Sequence, residues 1–198
     1  MIGRLSGILI EKQPPELVLD VQGVGYELSA PMSTFVNLPA LNEAVSLYTH
    51  LVVREDAQLL YGFATTRERL LFRSLLKVNG VGAKLALTIL SGSDVDTFAR
   101  SVQEGDTASL TRLPGVGKKT AERLIIEMRD RLKEVGSAMG LDTSVTQAMP
   151  SSSGARNEAT EALVALGYKA AEADKMIRSI NADGMTTEQL IRQALQRS

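Results

Sequence analysis

Cysteine and tryptophan are absent from this chain of 198 residues, histidine occurs once, and aromatic residues make up 4%. The lack of cysteine excludes disulfides and cysteine-ligated zinc or iron–sulfur centres. So few aromatics argue against single-strand binding through stacked bases as the main mode. Long apolar runs are missing too: no stretch approaches the ~18–20 residues of a membrane span. The start, Met1-Ile2-Gly3-Arg4, has no signal-peptide layout. These absences lead to the expectation of a soluble, cytoplasmic protein with no membrane, metal or cofactor partner. A large net charge is also lacking, since 22 basic residues face 23 acidic ones. Their distribution is nevertheless uneven. Residues 1–64 hold three basic against seven acidic residues, residues 65–133 hold 13 against eight, and residues 134–198 hold six against eight. A basic middle between two acidic ends is the electrostatic footprint of a polyanion-binding segment.

Within that basic middle lies an internal repeat. Val78-Asn79-Gly80-Val81-Gly82-Ala83-Lys84 is echoed 35 residues later by Leu113-Pro114-Gly115-Val116-Gly117-Lys118-Lys119. Each copy follows an apolar helical stretch and opens another, so the unit reads as helix, tight Gly-x-Gly hairpin, helix. The glycines permit positive φ and close approach. The next helix begins with free N–H groups, which attract anions, and a Lys two residues after the second Gly can reach the same anion. A single copy would suit a plain αα-hairpin with a glycine cap equally well. Two copies with the same Gly, Val and Lys offsets favour a helix-hairpin-helix pair that grips nucleic-acid phosphates without reading bases. A nucleotide-binding P-loop is rejected: Arg112 stands where its first Gly is required, and Lys119 where Ser or Thr must follow Lys.

Around the repeat, the chain divides into an α+β multidomain array. Residues 1–64 read as five or six short strands, broken at Pro14-Pro15 and at Gly23-Val24-Gly25, with a helical turn near Ser33–Leu38. That pattern suits a small closed barrel of OB type. Arg54-Glu55-Asp56 falls between two strand-like runs as a hairpin tip, where a solvated charged turn is the plainer reading. His50 has no Ser, Cys or second His to work with and is assigned no chemistry. Thr65-Thr66-Arg67-Glu68 is a capping-box pattern that opens the all-α region 65–134. Helices are expected near 66–78, 82–91, 94–103, 106–112 and 117–134. Small and polar residues over 135–156 read as a flexible linker. Residues 157–198 read as a three-helix, UBA-like unit, with helices near 158–166, 170–181 and 186–197. Apolar positions there include Ala162, Leu163, Leu166, Met176, Ile177, Ile180, Leu190, Ile191 and Leu195. So small a tethered domain with leftover apolar surface suits docking on a partner.

Taken together, these features resemble the RuvA family, bacterial proteins that recognise Holliday junctions. The resemblance rests on Met1-Ile2-Gly3-Arg4-Leu5, Gly23-Val24-Gly25-Tyr26-Glu27, Val52-Val53-Arg54-Glu55-Asp56-Ala57 and Leu60-Tyr61-Gly62-Phe63. It also rests on both hairpins, on Thr120-Ala121-Glu122-Arg123-Leu124 and on Ala165-Leu166-Gly167-Tyr168. The order of barrel, two hairpins, linker and Leu-Gly-Tyr domain is more specific than any one of them.

The resemblance implies a non-catalytic subunit that binds four-way junction DNA and targets the ATP-driven motor RuvB in recombination, DNA repair and the SOS response. It implies a homotetramer, one or two per junction, with the RuvC resolvase as a further partner. The expected DNA contacts are Asn79, Gly80, Val81, Gly82, Lys84, Pro114, Gly115, Val116, Gly117, Lys118, Lys119 and Arg123. Glu55 and Asp56 become an acidic pin at the junction centre, against the plainer reading of that turn. Leu166, Gly167, Tyr168, Met176 and Ile177 are the candidates for the motor-docking face, with core packing expected for at least two. The alternative from another class is a helix-hairpin-helix glycosylase or lyase acting on a flipped base. It would need a catalytic Asp or Lys beside a base-sized pocket, and Asp142 sits poorly for that at the linker's edge. A third reading, an adaptor that binds no DNA, predicts no salt-dependent DNA binding.

Overall fold

A computed structural model describes residues 1–139, 152–180 and 185–196. The chain divides into two compact units, with the division falling between Thr143 and Ser144.

The first unit begins with five strands: β1 (Arg4–Gln13), β2 (Glu16–Val21), β3 (Val24–Ser29), β4 (Ala44–Val53) and β5 (Gln58–Phe63). They close into a barrel in the order β1-β2-β3-β5-β4. Side chains alternate across each strand, so Leu5, Leu9, Leu17, Leu19, Leu28, Leu47 and Leu60 meet inside. β1 is long enough to serve two neighbours. It pairs with β4 over Arg4–Ile8 and with β2 over Ile8–Gln13, with an irregularity between Leu9 and Glu11 that lets it bend. Before the bend a Cβ on Gly7 would lie 2.2 Å from the Asp20 carbonyl oxygen, so only glycine fits there. The β2–β3 turn is made by Gln22 and Gly23, both at positive φ (55° and 88°). Val21 and Val24 already pair across it. The expected break at Gly23-Val24-Gly25 therefore sits one residue earlier, because a two-residue turn with positive φ at both positions matches the strand twist. Helix α1 (Met32–Val36) occupies the β3–β4 connection, and Phe35 and Leu38 close that end of the barrel core.

Five further helices complete the unit: α2 (Thr66–Leu75), α3 (Ala83–Gly92), α4 (Val95–Glu104), α5 (Thr107–Thr111) and α6 (Lys118–Met139). Thr65 and Glu68 form the capping box read from the sequence. The Glu68 carboxylate also accepts from the Ser33 hydroxyl, tying α1 to α2. Asp94 and Asp106 cap α4 and α5, accepting the Thr97 and Ser109 N–H groups at 2.8 and 3.0 Å. Those hydrogen bonds, together with ones from the Thr97 and Ser109 hydroxyls, hold both carboxyls below their ordinary range. α2 ends at Leu75 rather than near 78. Lys77 and Val78 N–H groups bond back to Ser74 and Leu75, tightening the chain into the first hairpin.

Barrel and helices share one aromatic joint. The fully buried Phe72 of α2 lies with its ring centroid 4.9 Å from those of both Tyr61 and Phe63 on β5. His50 on β4 meets Phe72 edge-on at 5.7 Å. Arg69 donates to the Gly3 carbonyl at 2.6 Å and lies 5.3 Å over the Tyr48 ring. Arg73 Nε donates to His50 Nδ1 at 3.2 Å.

In the second unit, α7 (Ser152–Ala165), α8 (Ala170–Arg178) and α9 (Thr187–Gln196) pack around Ala159, Leu163, Ala173, Ile177, Ile180, Leu190 and Ala194. Much of the expected linker lies outside the described residues, as does Asp142. At its two ends the structure differs from the expectation: α6 continues to Met139, and α7 starts at Ser152 rather than near 158. Gly136 does not stop α6, since one glycine costs a helix only about 1 kcal/mol and each added residue gains a hydrogen bond. Among the described residues no helix is long and apolar enough to cross a membrane.

The joint makes stability depend on pH. Burial, then the charges of Arg73 and Arg69, lower the His50 pKa below its ordinary 6.5. His50 is neutral in the fold and accepts from Arg73, so the unfolded chain takes up the proton first. Its contribution is complete above pH ~6.5 and is lost as pH falls through that value toward the depressed folded pKa. Urea midpoints measured between pH 7.5 and 5 should fall less steeply for His50→Gln than for the native chain. Phe72→Ala should lower stability by about 3–5 kcal/mol, read in the same titration at pH 7.5.

Candidate nucleic-acid interface

The 35-residue repeat is a repeat of geometry as well as of letters. The Lys77 N–H bonds the Ser74 carbonyl at 3.2 Å, and the Arg112 N–H bonds the Ser109 carbonyl at 3.2 Å. Val78 to Leu75 (3.0 Å) matches Leu113 to Leu110 (3.2 Å), and Val81 to Val78 (3.1 Å) matches Val116 to Leu113 (3.0 Å). Ala86 to Gly82 and Ala121 to Gly117 are both 2.9 Å. Gly80 and Gly115 take φ of 83° and 79°, the left-handed region that each hairpin needs to reverse.

These bonds decide which N–H groups remain for a ligand. The Val81 and Val116 amides are already bonded within the loops, and both side chains are buried at 6% and 5% exposure. They anchor the loops to the core, so neither the amide nor the side chain of these two expected contacts is free for a ligand. The first intrahelical bond of α3 comes from Ala86 and that of α6 from Ala121. The amides of Ala83, Lys84 and Leu85, and of Lys118, Lys119 and Thr120, therefore have no acceptor within their helices. Gly82 at the start of α3 makes no side-chain cap. Two helix N-termini stand open, each able to attract an anion.

The hairpins pack reciprocally. A Cβ on Gly115 would lie 3.2 Å from Leu85 of α3, and one on Gly80 would lie 3.3 Å from Arg123 of α6. Each loop thus rests on the helix that follows the other loop, the arrangement of a local pseudo-twofold. Gly82, Lys84, Leu85, Thr88, Pro114 and Gly115 line one groove between them. Asn79, Gly80, Gly82, Lys84, Pro114, Gly115, Gly117, Lys118, Lys119 and Arg123 are all exposed. Arg123 donates through Nη1 to the Asn79 carbonyl at 3.0 Å, so part of its guanidinium is committed to the protein itself.

The β4–β5 hairpin ends in a tight tip, closed by Arg54 N–H to Ala57 O at 2.8 Å. Glu55 and Asp56 project from it, both exposed. The strand ends beneath them carry exposed Val53 and Leu59.

The second unit separates its candidates. Leu166 is 62% exposed, and Gly167 turns the chain at φ 105°. Tyr168 and Met176 are half-buried against the core. Ile177 is buried at 2% and belongs to the core, which removes it from any docking face. Leu195, one of the apolar positions read from the sequence, is exposed, as is Val164. With Leu166 they are the large exposed apolar residues of this unit's described part. Val164 was missed because it follows Leu163 directly and so leaves the buried stripe of α7.

Comparison with known proteins covers the whole chain. Residues 1–62 match the family model "RuvA N terminal domain", residues 154–198 match "RuvA, C-terminal domain", and residues 72–130 match "SAM-like Helix-hairpin-helix tandem". A protein of Nitrosococcus oceani is 62% identical over 197 residues, covering 100% of this chain and 99% of its own. Proteins of Shewanella frigidimarina and Stutzerimonas stutzeri are 57% and 53% identical, each covering 98% of both chains. All three are described as "Holliday junction branch migration complex subunit RuvA". This chain belongs to the RuvA family.

Proposed function

We propose that the protein recognises four-way junction DNA and serves as the DNA-binding, non-catalytic subunit of a branch-migration complex. The observation that carries this reading is the pair of open helix N-termini, set by duplicate hairpins around one groove, in a chain that matches RuvA relatives end to end. Backbone amides and Lys84, Lys118 and Lys119 offer charge to phosphates, which positions a duplex without specifying its sequence. The relatives' descriptions favour this over the glycosylase alternative. The direct test is a gel shift of a four-way junction against linear duplex of the same sequence, with the mass of the complex. Strong preference for the junction is expected, and a homotetramer, one or two per junction, is the assembly proposed.

The remaining roles follow from the same reading. Glu55 and Asp56 act as an acidic pin that repels phosphates at the junction centre. The second unit docks on the RuvB motor through exposed Leu166 and its neighbours, with RuvC as a further partner, in the cytoplasm. Lys84→Ala with Lys119→Ala should weaken all junction sequences alike. Each phosphate contact removed should flatten the slope of log affinity against log salt by about 1.

The pin works by difference. Two unit charges ~6 Å apart repel by roughly 3 kcal/mol at an effective dielectric of 20, before salt reduces it. A continuous duplex crossing the tips meets that repulsion, whereas diverging junction strands avoid it. Glu55→Ala with Asp56→Ala should keep junction binding, raise binding to linear duplex and alter the branch-migration rate. Loss of junction binding by a folded double variant would show that the carboxylates are structural instead. A chain ending at Met139 should still bind junctions but no longer stimulate the motor, measured as migration in the presence of RuvB.

A further inference from the structure

Asn79 and Pro114 occupy the same place in the two hairpins, each just before the glycine of positive φ. The backbone hydrogen bonds on both sides of them repeat from one loop to the other with nearly the same lengths. Their chemistry differs. Proline locks its own φ through its ring and has no N–H, so the second loop is stiffened by its own covalent structure. Asparagine does neither.

The first loop has something in its place. α6 supplies Arg123 and Glu127, four residues apart and so on one helix face. Arg123 Nη1 donates to the Asn79 carbonyl at 3.0 Å. The Asn79 N–H donates to Glu127 Oε2 at 3.4 Å. Both polar groups of one backbone residue are thereby held from one side. The second loop has no counterpart. The positions 35 residues before Arg123 and Glu127 are Thr88 and Gly92. Thr88 donates its hydroxyl to the Lys84 carbonyl within its own helix, and Gly92 has no side chain. Leu85 packs beneath Gly115 instead. A carboxylate beside a phosphate grip would repel DNA, so the place of Glu127 calls for a separate reason.

We infer that Arg123 and Glu127 are positioning residues that fix the first hairpin, giving it by a side-chain clamp the rigidity that Pro114 builds into the second. The inference rests on reading the hairpins as phosphate grips. It changes the role of Arg123 from a direct contact to a residue that acts through the Asn79 peptide. It adds Glu127, an acidic residue, to those that strengthen DNA binding.

Full-length variants with the four-way junction test it. Arg123→Met with Glu127→Ala should weaken junction binding roughly tenfold, the scale of two lost hydrogen bonds. In that variant, neutral methylphosphonates placed along the arms should no longer affect binding at the phosphates of the first hairpin. They should still weaken it at those of the second. Asn79→Pro, added to the same protein, should restore most of the affinity, because it supplies the stiffness covalently. A folded triple variant, checked by circular dichroism, that stays as weak as the double variant would overturn the clamp.

A cycle with Lys84→Ala decides independently of whether the proline variant folds. If Arg123 acts through the first hairpin, Arg123→Met should cost much less once Lys84 is gone. Equal cost in both backgrounds would make Arg123 a phosphate contact and refute the inference. So would Glu127→Ala alone tightening binding. Native protein that fails to prefer junctions over linear duplex would instead refute the functional reading. The clamp is judged only by each variant against the native protein.

Discussion

The first unit depends on the burial of one side chain. Phe72 comes from α2 but lies among rings of the barrel, and no water reaches it. An aromatic contact of this kind is worth about 0.5–1.5 kcal/mol beyond the area it buries. Its greater effect is geometric. β4 and β5 present His50, Tyr61 and Phe63 to α2, and the same two strands run on to the tip bearing Glu55 and Asp56. α2 in turn ends in the first hairpin. The acidic tip and the first hairpin are thus extensions of elements that meet at one packed joint. Arg69 and Arg73 reinforce that joint with bonds to Gly3 and His50, and burial, then the charges of Arg73 and Arg69, lowers the His50 pKa.

The helical region solves one problem twice and then breaks the symmetry. Duplicate loops on a pseudo-twofold present two open helix N-termini with one design, and burial of Val81, Val116, Ala86 and Ala121 holds each loop to the shared core. The difference lies at Asn79 and Pro114, and at the α6 residues Arg123 and Glu127, whose counterparts 35 residues earlier are Thr88 and Gly92. One loop carries its rigidity in a ring, and the other borrows it from α6. On that inference, mutations of Arg123 or Glu127 on α6 act on DNA binding through the first hairpin.

Much of this was legible in the sequence because its signals are local. Gly-Val-Gly-x-Lys twice at one spacing, the Thr65 to Glu68 capping box, and the alternation of Leu17 and Leu19 each need only their neighbours to be read. The barrel's closure was legible as strand count, but not its parallel Ser29 to Tyr61 seam, which joins residues distant in the chain. Exposure was the weaker reading. Val81 and Val116 sit in the binding motif and look available, yet the loop turns them inward. Leu195 keeps an apolar letter and faces out, while Ile177 faces in. Helix ends were misjudged where composition spoke for a loop: Gly136 and the serines near 152 fit a linker as well as they fit a helix. Glu127 could not be found at all from its surroundings, since its partner amide lies 48 residues away.

On the function proposed above both hairpins hold DNA by its backbone, and the charge spacing of a backbone is the same at every base pair. A protein that recognised bases would meet discrimination of about 1–3 kcal/mol at each good contact, and the duplex would rest in wells of differing depth as it passed. Amides at Ala83 to Leu85 and Lys118 to Thr120, acting on phosphates alone, would meet an almost level profile instead. Such a surface behaves as a bearing. In that role it would hold the axis of each arm while the helix turns through it, and it would leave the direction of travel to whatever supplies the torque.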